Sequence, residues 1–255
     1  MLSLIYDDES QKIIPHDETN RNLSFVLEEV FGVGGCGSRE EKPRDAGTEA
    51  DLLRQWAIEH NRFLNRDAFD ALWNARVKIG CDLSLGETSE HHVILDGLSG
   101  RVIKITMIDE IGFEFNPTFG HAGFASEYLR QLWFSNQALG DDIVLHGLVD
   151  RGDGFYENGA YAIVISQKFC EEVRLPAARD IEEAMKGAGF RFDQSNRAGN
   201  VPGEWFHDDA NLRLWDHAPA NFILTESGIA AIDVHVKPAD ESRPADFSAV
   251  RLEFN

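Results

Sequence analysis

The chain has 255 residues, 44 acidic and 24 basic, for a formal net charge of −20. Such a surface repels nucleic acid and anionic membranes. No apolar run approaches the roughly 18 residues of a membrane span, so neither is expected as a partner.

A hydrophobic fraction of 43 % with 17 Phe can fill a core. Cys36, Cys81 and Cys170 are isolated, without a CxxC pair, which suits free thiols better than a disulfide framework. The start, MLSLIYDDES, lacks the basic flank and apolar stretch of a signal peptide. A cytoplasmic protein is the expectation. Its acidity serves solubility, attraction to a basic protein partner, or mimicry of DNA.

In chain order, Leu2–Tyr6 reads as a strand and Leu23–Phe31 as a helix. Gly32–Gly37 matches GxGxxG literally, but no clear strand leads in and a polar, proline-broken stretch follows, so it reads as a linker. Two helices follow, Thr48–Leu64 and Asp67–Val77. Leu52, Leu53, Trp56 and Ala57 share one face of the first, and Thr48 is its expected N-cap. These helices are expected to pack on the outside of what comes next.

From Leu85 the pattern turns to strands: 86–96, a turn at 97–100, then Arg101–Thr106. Lys104 stands in that last strand between Ile103 and Ile105, where a cation is costly unless it meets an anion. Ala122–Leu139 has a broad apolar helical face, with Gly140 as a natural stop and Glu127 on its surface. Asp142–Val149 and Ala160–Ser166 are strands, Pro176–Gly189 a helix, and Trp205–Phe206 with Leu212–Trp215 a strand pair.

The stretch Arg213–Val234 carries the chemistry. Asp216, Asn221 and Asp233 flank a short apolar run and a glycine turn, which brings them to one end of a hairpin. Phosphoryl transfer uses such a set: one carboxylate for the attacking hydroxyl's proton, an amide and a second carboxylate for the metal on the phosphates. Pro219 stiffens the loop between them.

Asp-x-x-Pro-x-Asn followed by Ile-Asp resembles the catalytic loop and metal-binding aspartate of the protein-kinase-like fold. The pieces Gly86–Val93, Arg101–Thr106, Glu127–Leu129, Gly140–Ile143, Ile165–Gln167, Ala188–Phe190, Asp216–Asn221 and Ile232–Val234 resemble, in that order, the serine/threonine/tyrosine kinase-like domain found in polyvalent proteins of phages and conjugative elements. The resemblance covers about 150 residues.

It implies an α+β, two-lobed fold: a helical extension at 1–80, a five-stranded antiparallel small lobe with one helix at 81–168, and a reduced large lobe at 169–255, helical in character. It implies ATP and Mg2+ as cofactors. Asp216 would be catalytic, Lys104 would hold the phosphates, and Glu127, 23 residues further on, would pair with Lys104. Adenine would stack under Val93 and Ile103 and meet the backbone near Gln167; Asn221 and Asp233 would hold the metal.

Departures from the pattern are Leu214-Trp215 in place of His-Arg before the aspartate, Asp233-Val-His235 in place of Asp-Phe-Gly, and a single glycine at 86–92. The expected function is phosphorylation of a hydroxyl, on a protein Ser, Thr or Tyr or on a small molecule. The alternative is a non-catalytic, acidic, kinase-like protein of a mobile element that binds a partner protein. A metal-hydrolase reading from His91, His92, His207, His217 and His235 finds no HxxxH or HxH pair to support it.

Overall fold

The computed structural model describes residues 16–32, 46–65, 67, 82–87, 91–96, 99–106, 124–150, 161–195 and 203–250. It is a mixed α+β protein. The elements expected at Leu2–Tyr6 and over most of Asp67–Val77 lie outside the described residues, as do most of the Gly32–Gly37 motif and residues 251–255. Among the described residues no helix is long and apolar enough to cross a membrane.

The main sheet has six strands in the order β1-β5-β6-β4-β3-β2. These are β1 (Phe63–Leu64), β2 (Asp82–Glu87), β3 (His91–Asp96), β4 (Arg101–Thr106), β5 (Val144–Asp150) and β6 (Tyr161–Lys168). Strands β2 to β6 are antiparallel throughout, with one helix between the third and fourth of the five. The sixth strand, β1, pairs in parallel with β5 at the edge, a pairing too short to show in the sequence. The region expected as one strand from residue 86 divides into β2 and β3.

Helices α1 (His16–Phe31), α2 (Ala46–Glu59) and α3 (Ala125–Leu139) cover one face of this sheet. The N-terminal helices do not sit outside the domain. Leu23, Val26, Leu27, Phe31, Leu53, Trp56 and Ala57 are buried with Leu129, Phe134, Leu145 and Ile163 in one core. Helix α2 begins at Ala46, so Thr48 lies inside its first turn and is not its cap.

Helix α3 ends as its sequence indicates. Gly140 adopts φ +69°, and its N–H returns to Asn136 O at 3.1 Å. Its start lacks a side-chain cap of its own. Glu49 of α2 supplies the missing acceptor, taking the Ser126 N–H at 3.0 Å from a fully buried position.

Beyond β6 the expectation of a helical lobe needs correction. The described residues hold one α-helix there, α4 (Ala178–Gly187), and six short strands, two of which answer to the expected pair at Trp205–Phe206 and Leu212–Trp215. A four-stranded sheet runs β12-β9-β8-β7, built from β7 (Arg191–Asp193), β8 (Glu204–His207), β9 (Leu212–Trp215) and β12 (His235–Pro238). The remaining pair is the hairpin β10 (Phe222–Leu224) and β11 (Ile229–Ala231). Short strands with aromatic and β-branched residues explain the difference, because burial against neighbours outweighs helix propensity there.

The core crosses from one half to the other. Trp205, Leu212, Leu214, Phe222 and Val236 belong to the same buried cluster as α1 to α3. Phe247 meets Trp133 edge to face at 5.2 Å. The opposite face of the main sheet carries a smaller cluster of Leu64, Ile94, Ile103, Ile105, Val149, Ala162 and Val164.

Gly147 marks where the sheet leaves no room. The β5–β6 register shifts between Leu145 and Gly147, and Gly147 has φ +146°. A Cβ there would stand 2.2 Å from Arg62 O, the carbonyl that accepts the Leu148 N–H at 2.8 Å. Gly147→Ala should therefore destabilise the fold by about 2–3 kcal/mol, read as a lower urea midpoint. An unchanged midpoint would mean that the β1 edge can move away freely.

Candidate functional site

The site is built on the segment between β9 and β12. At the end of β9 the chain turns sharply, because Asp216 sits in the left-handed region at φ +56°. A non-glycine residue held there costs free energy, and Asp tolerates it better than most. Residues Pro219–Asn221 then make one 3-10 turn leading into β10. Asn221 closes the loop, its Nδ2 donating to Asp216 O at 2.7 Å. Asn221 O accepts from Ile232 N at 2.9 Å, which brings the residue before Asp233 beside the loop.

Lys104 reaches this hairpin from the main sheet. Its Nζ donates to Ile232 O at 2.6 Å and lies 3.3 Å from Asp233 Oδ1, across 129 residues of sequence. The lysine side chain is only 12 % exposed and that of Asp233 38 %. The buried cation is thus compensated by a carbonyl and a carboxylate. The structure brings together Lys104 and Asp233 on one side and Asp216 and Asn221 on the other, through the Asn221–Ile232 bond.

Behind Lys104 lies a small pocket of about 40 Å3, lined by residues that include Gln131, Ser135, Asp141, Asp233 and His235. Asp141 stands in the Gly140–Ile143 piece of the resemblance, but nothing in the sequence assigned it a role of its own. Its side chain is buried, and the Ser135 hydroxyl donates to it in a short bond. Burial pushes its carboxyl up to about 7, against the lowering effects of Ser135 and the Lys104 charge.

His235 packs flat on Trp215, its register partner across β9 and β12, at 5.1 Å and 16°. Its Nδ1 lies 3.0 Å from Gln131 Oε1, and since an amide oxygen only accepts, Nδ1 carries the proton. Burial holds its pKa below the usual histidine value, although Asp233 and Asp216 oppose this. The ring is neutral.

The other expected residues fall as follows. Val93 stands opposite Lys104 in the β3–β4 register and shares its face of the sheet. Ile103, one residue from Lys104, necessarily points to the other face, where it is buried beside Ile94 and Ile105. An adenine cannot contact both Val93 and Ile103 on one face. Val102, two residues from Lys104, holds the position that Ile103 was given.

Gln167 is buried, with its Nε2 donating to Ala231 O at 3.3 Å, which ties β6 to the hairpin. Glu127 acts electrostatically on Lys237, whose ammonium rests 5.0 Å over the Trp215 ring. The helix position that reaches the pocket one turn later is Gln131.

Among the histidines, His217 Nε2 donates to Gly203 O at 3.2 Å and its ring packs on Phe192 and Trp205, a structural role. His207 is buried against Phe190. Among the described residues no group of three or more His, Cys, Asp or Glu is arranged to hold a metal ion. The pair Asn221 and Asp233 is of the hard-oxygen type that suits Mg2+, which takes few protein ligands and fills its shell with phosphate oxygens and water.

Asp141 gives a pH signature with a definite sign. Its folded pKa, about 7, lies above the ordinary 3.8, so the folded chain holds a proton that the unfolded chain has lost between those values. Its contribution to stability is complete below about pH 4 and is lost as pH rises through about 7. Asp141→Asn should remove that loss. The variant's advantage in urea midpoint over the native chain should grow between pH 4 and pH 8, toward an upper bound of about 4 kcal/mol. A constant difference across that range would refute the burial argument.

Comparison of the chain with protein-family models, with curated proteins and with solved structures gives no match.

Proposed function

We propose that the chain is a kinase-like phosphotransferase that moves the γ-phosphoryl group of ATP to a hydroxyl. The observation that carries this reading is the approach of Lys104 Nζ to Asp233 Oδ1 at 3.3 Å, beside a loop that holds Asp216 and Asn221 together. Five antiparallel strands with one helix between the third and fourth add support, because the resembling family's small lobe has that order.

In this reading Lys104 binds phosphate oxygens, giving up part of its contact with Ile232 and Asp233. Asn221 and Asp233 would hold Mg2+, which when bound neutralises charge on the phosphates. Asp216 orients the acceptor hydroxyl and takes its proton as the oxygen bonds to the γ-phosphorus. The bond from that phosphorus to the bridging oxygen breaks, and ADP leaves. The proton departs late, in a loose transition state, so the carboxylate's placement matters more than its strength as a base. The acceptor is an alcohol, on a small molecule or on a protein.

One observation favours the alternative, a non-catalytic kinase-like protein with a basic protein partner. The pocket at Lys104 has about 40 Å3, room for a few waters, and the chain's own Ile232 carbonyl occupies the ammonium. An ATP molecule requires these contacts to open. The two readings part on a single measurement.

Calorimetry with ATP and Mg2+ should give heat with the native chain and with Asp216→Asn, and none with Lys104→Ala or Asp233→Ala. With γ-labelled ATP and a panel of proteins and small alcohols, Asp216→Asn should lose transfer by about 10²–10⁴-fold. Absence of heat at millimolar nucleotide leaves the binding-protein reading. In that case capture of basic proteins should weaken as salt rises, because exposed charges are screened beyond about 10 Å at 0.1 M.

A further inference from the structure

We propose that Asp141 is the positioning residue of Lys104: its buried carboxyl, fixed by Ser135, is once ionised the counter-charge that holds the ammonium from the α3 side of the pocket, in place of Glu127.

The geometry leads there in steps. A lysine ammonium has three N–H donors. Two are engaged, with Ile232 O at 2.6 Å and Asp233 Oδ1 at 3.3 Å. The pocket beside it, of about 40 Å3, is lined by both Lys104 and Asp141. A water needs about 10–15 Å3 and two or more polar partners. Lys104, Asp141 and Ser135 line the pocket together, so it has room and polar partners for a water between the ammonium and the carboxyl.

Helix α3 explains why the charge comes from Asp141. Its pocket face carries Tyr128, Gln131, Leu132 and Ser135, at helical spacing. Glu127 is offset from that face by about a quarter turn, does not line the pocket, and acts on the Lys237 charge. Gln131 is neutral and bonded to His235. No carboxylate stands among these four. The chain supplies one just past the helix end, where Gly140 at φ +69° turns back and drops Asp141 under Ser135.

The consequence for transfer rests on the phosphotransferase reading: with Lys104 steadied from behind, Asp233 can turn from the lysine to a metal. The pairing itself needs no nucleotide, and neither does its test.

The test is a double-mutant cycle of Lys104→Met and Asp141→Asn, measured by urea unfolding at pH 8 on the full chain. A second cycle pairs Lys104→Met with Glu127→Gln. If Asp141 is the counter-charge, the folding equilibrium constant gained on Asp141→Asn is at least about five-fold larger in the Lys104→Met background than in the native one. The Glu127 cycle stays additive within about two-fold. A purely structural role for Asp141 would leave its cycle additive as well. Should Asp141→Asn not hold its fold, Asp141→Ser, which removes the same charge, replaces it. Coupling below about five-fold for Asp141, or larger coupling for Glu127, overturns the proposal. A failed nucleotide-binding experiment leaves this result untouched, and additive cycles leave the phosphotransferase reading open.

Discussion

A single lysine in the middle of a sheet constrains the rest of this structure. Strand β4 has neighbours on both sides, so its residues have no edge to escape from. Lys104 must place its ammonium on one face or lose the solvation of a full charge. It spans the gap to the β11–β12 turn and takes Ile232 O and Asp233. Breaking a fully buried ion pair costs about 3–5 kcal/mol, and an exposed pair contributes less than about 1 kcal/mol. With Asp233 38 % exposed, this pair lies between those limits. It fixes where the hairpin sits without locking it shut.

The same region gathers positive charge in a chain of net charge −20. Arg213 and Lys237 stand opposite each other across β9 and β12, and both rest on Trp215, at 5.5 and 5.0 Å from the ring centroid. Like charges in register repel. The indole face and the nearby Glu127, Glu204 and Glu241 offset that repulsion. Burial and the Arg213 charge nonetheless keep the Lys237 pKa below its ordinary value. His235 completes the stack as a neutral ring, so the wall of the pocket is apolar on one side and hydrogen-bonding on the other.

Much of this was legible in the sequence, for reasons that name themselves. A lysine between two isoleucines has to find an anion; nucleotide phosphates and Glu127 were the expected partners, and the structure sets it beside Asp233. Gly140 stopped α3 where a left-handed cap was expected. The failures are physical too. Ile103 was placed beside Val93 although alternation along a strand sends it to the other face. Asp141 figured only as part of the Gly140–Ile143 piece, without a role of its own, because its burial depends on Ser135 and on packing that only the fold supplies. In the second half the strand pair at Trp205–Phe206 and Leu212–Trp215 was legible as β8 and β9, whereas the helical character expected of that lobe gives way to further short strands buried in a core shared with the first half. The start of α3 carried no cap signal of its own, since the acceptor for its Ser126 N–H comes from Glu49, 77 residues earlier.

That borrowed cap has a bearing on where the chain can be divided. The sequence suggests a seam near residue 80, between an appendage and a working domain. Physically no seam runs there. A fragment beginning at residue 81 would start α3 with an orphaned amide and would leave Leu129 and Phe134 facing water where α1 and α2 had lain. The helix that walls the pocket is held at its first turn by a carboxylate from the N-terminal region. Any shortened form meant to keep the pocket must keep both leading helices.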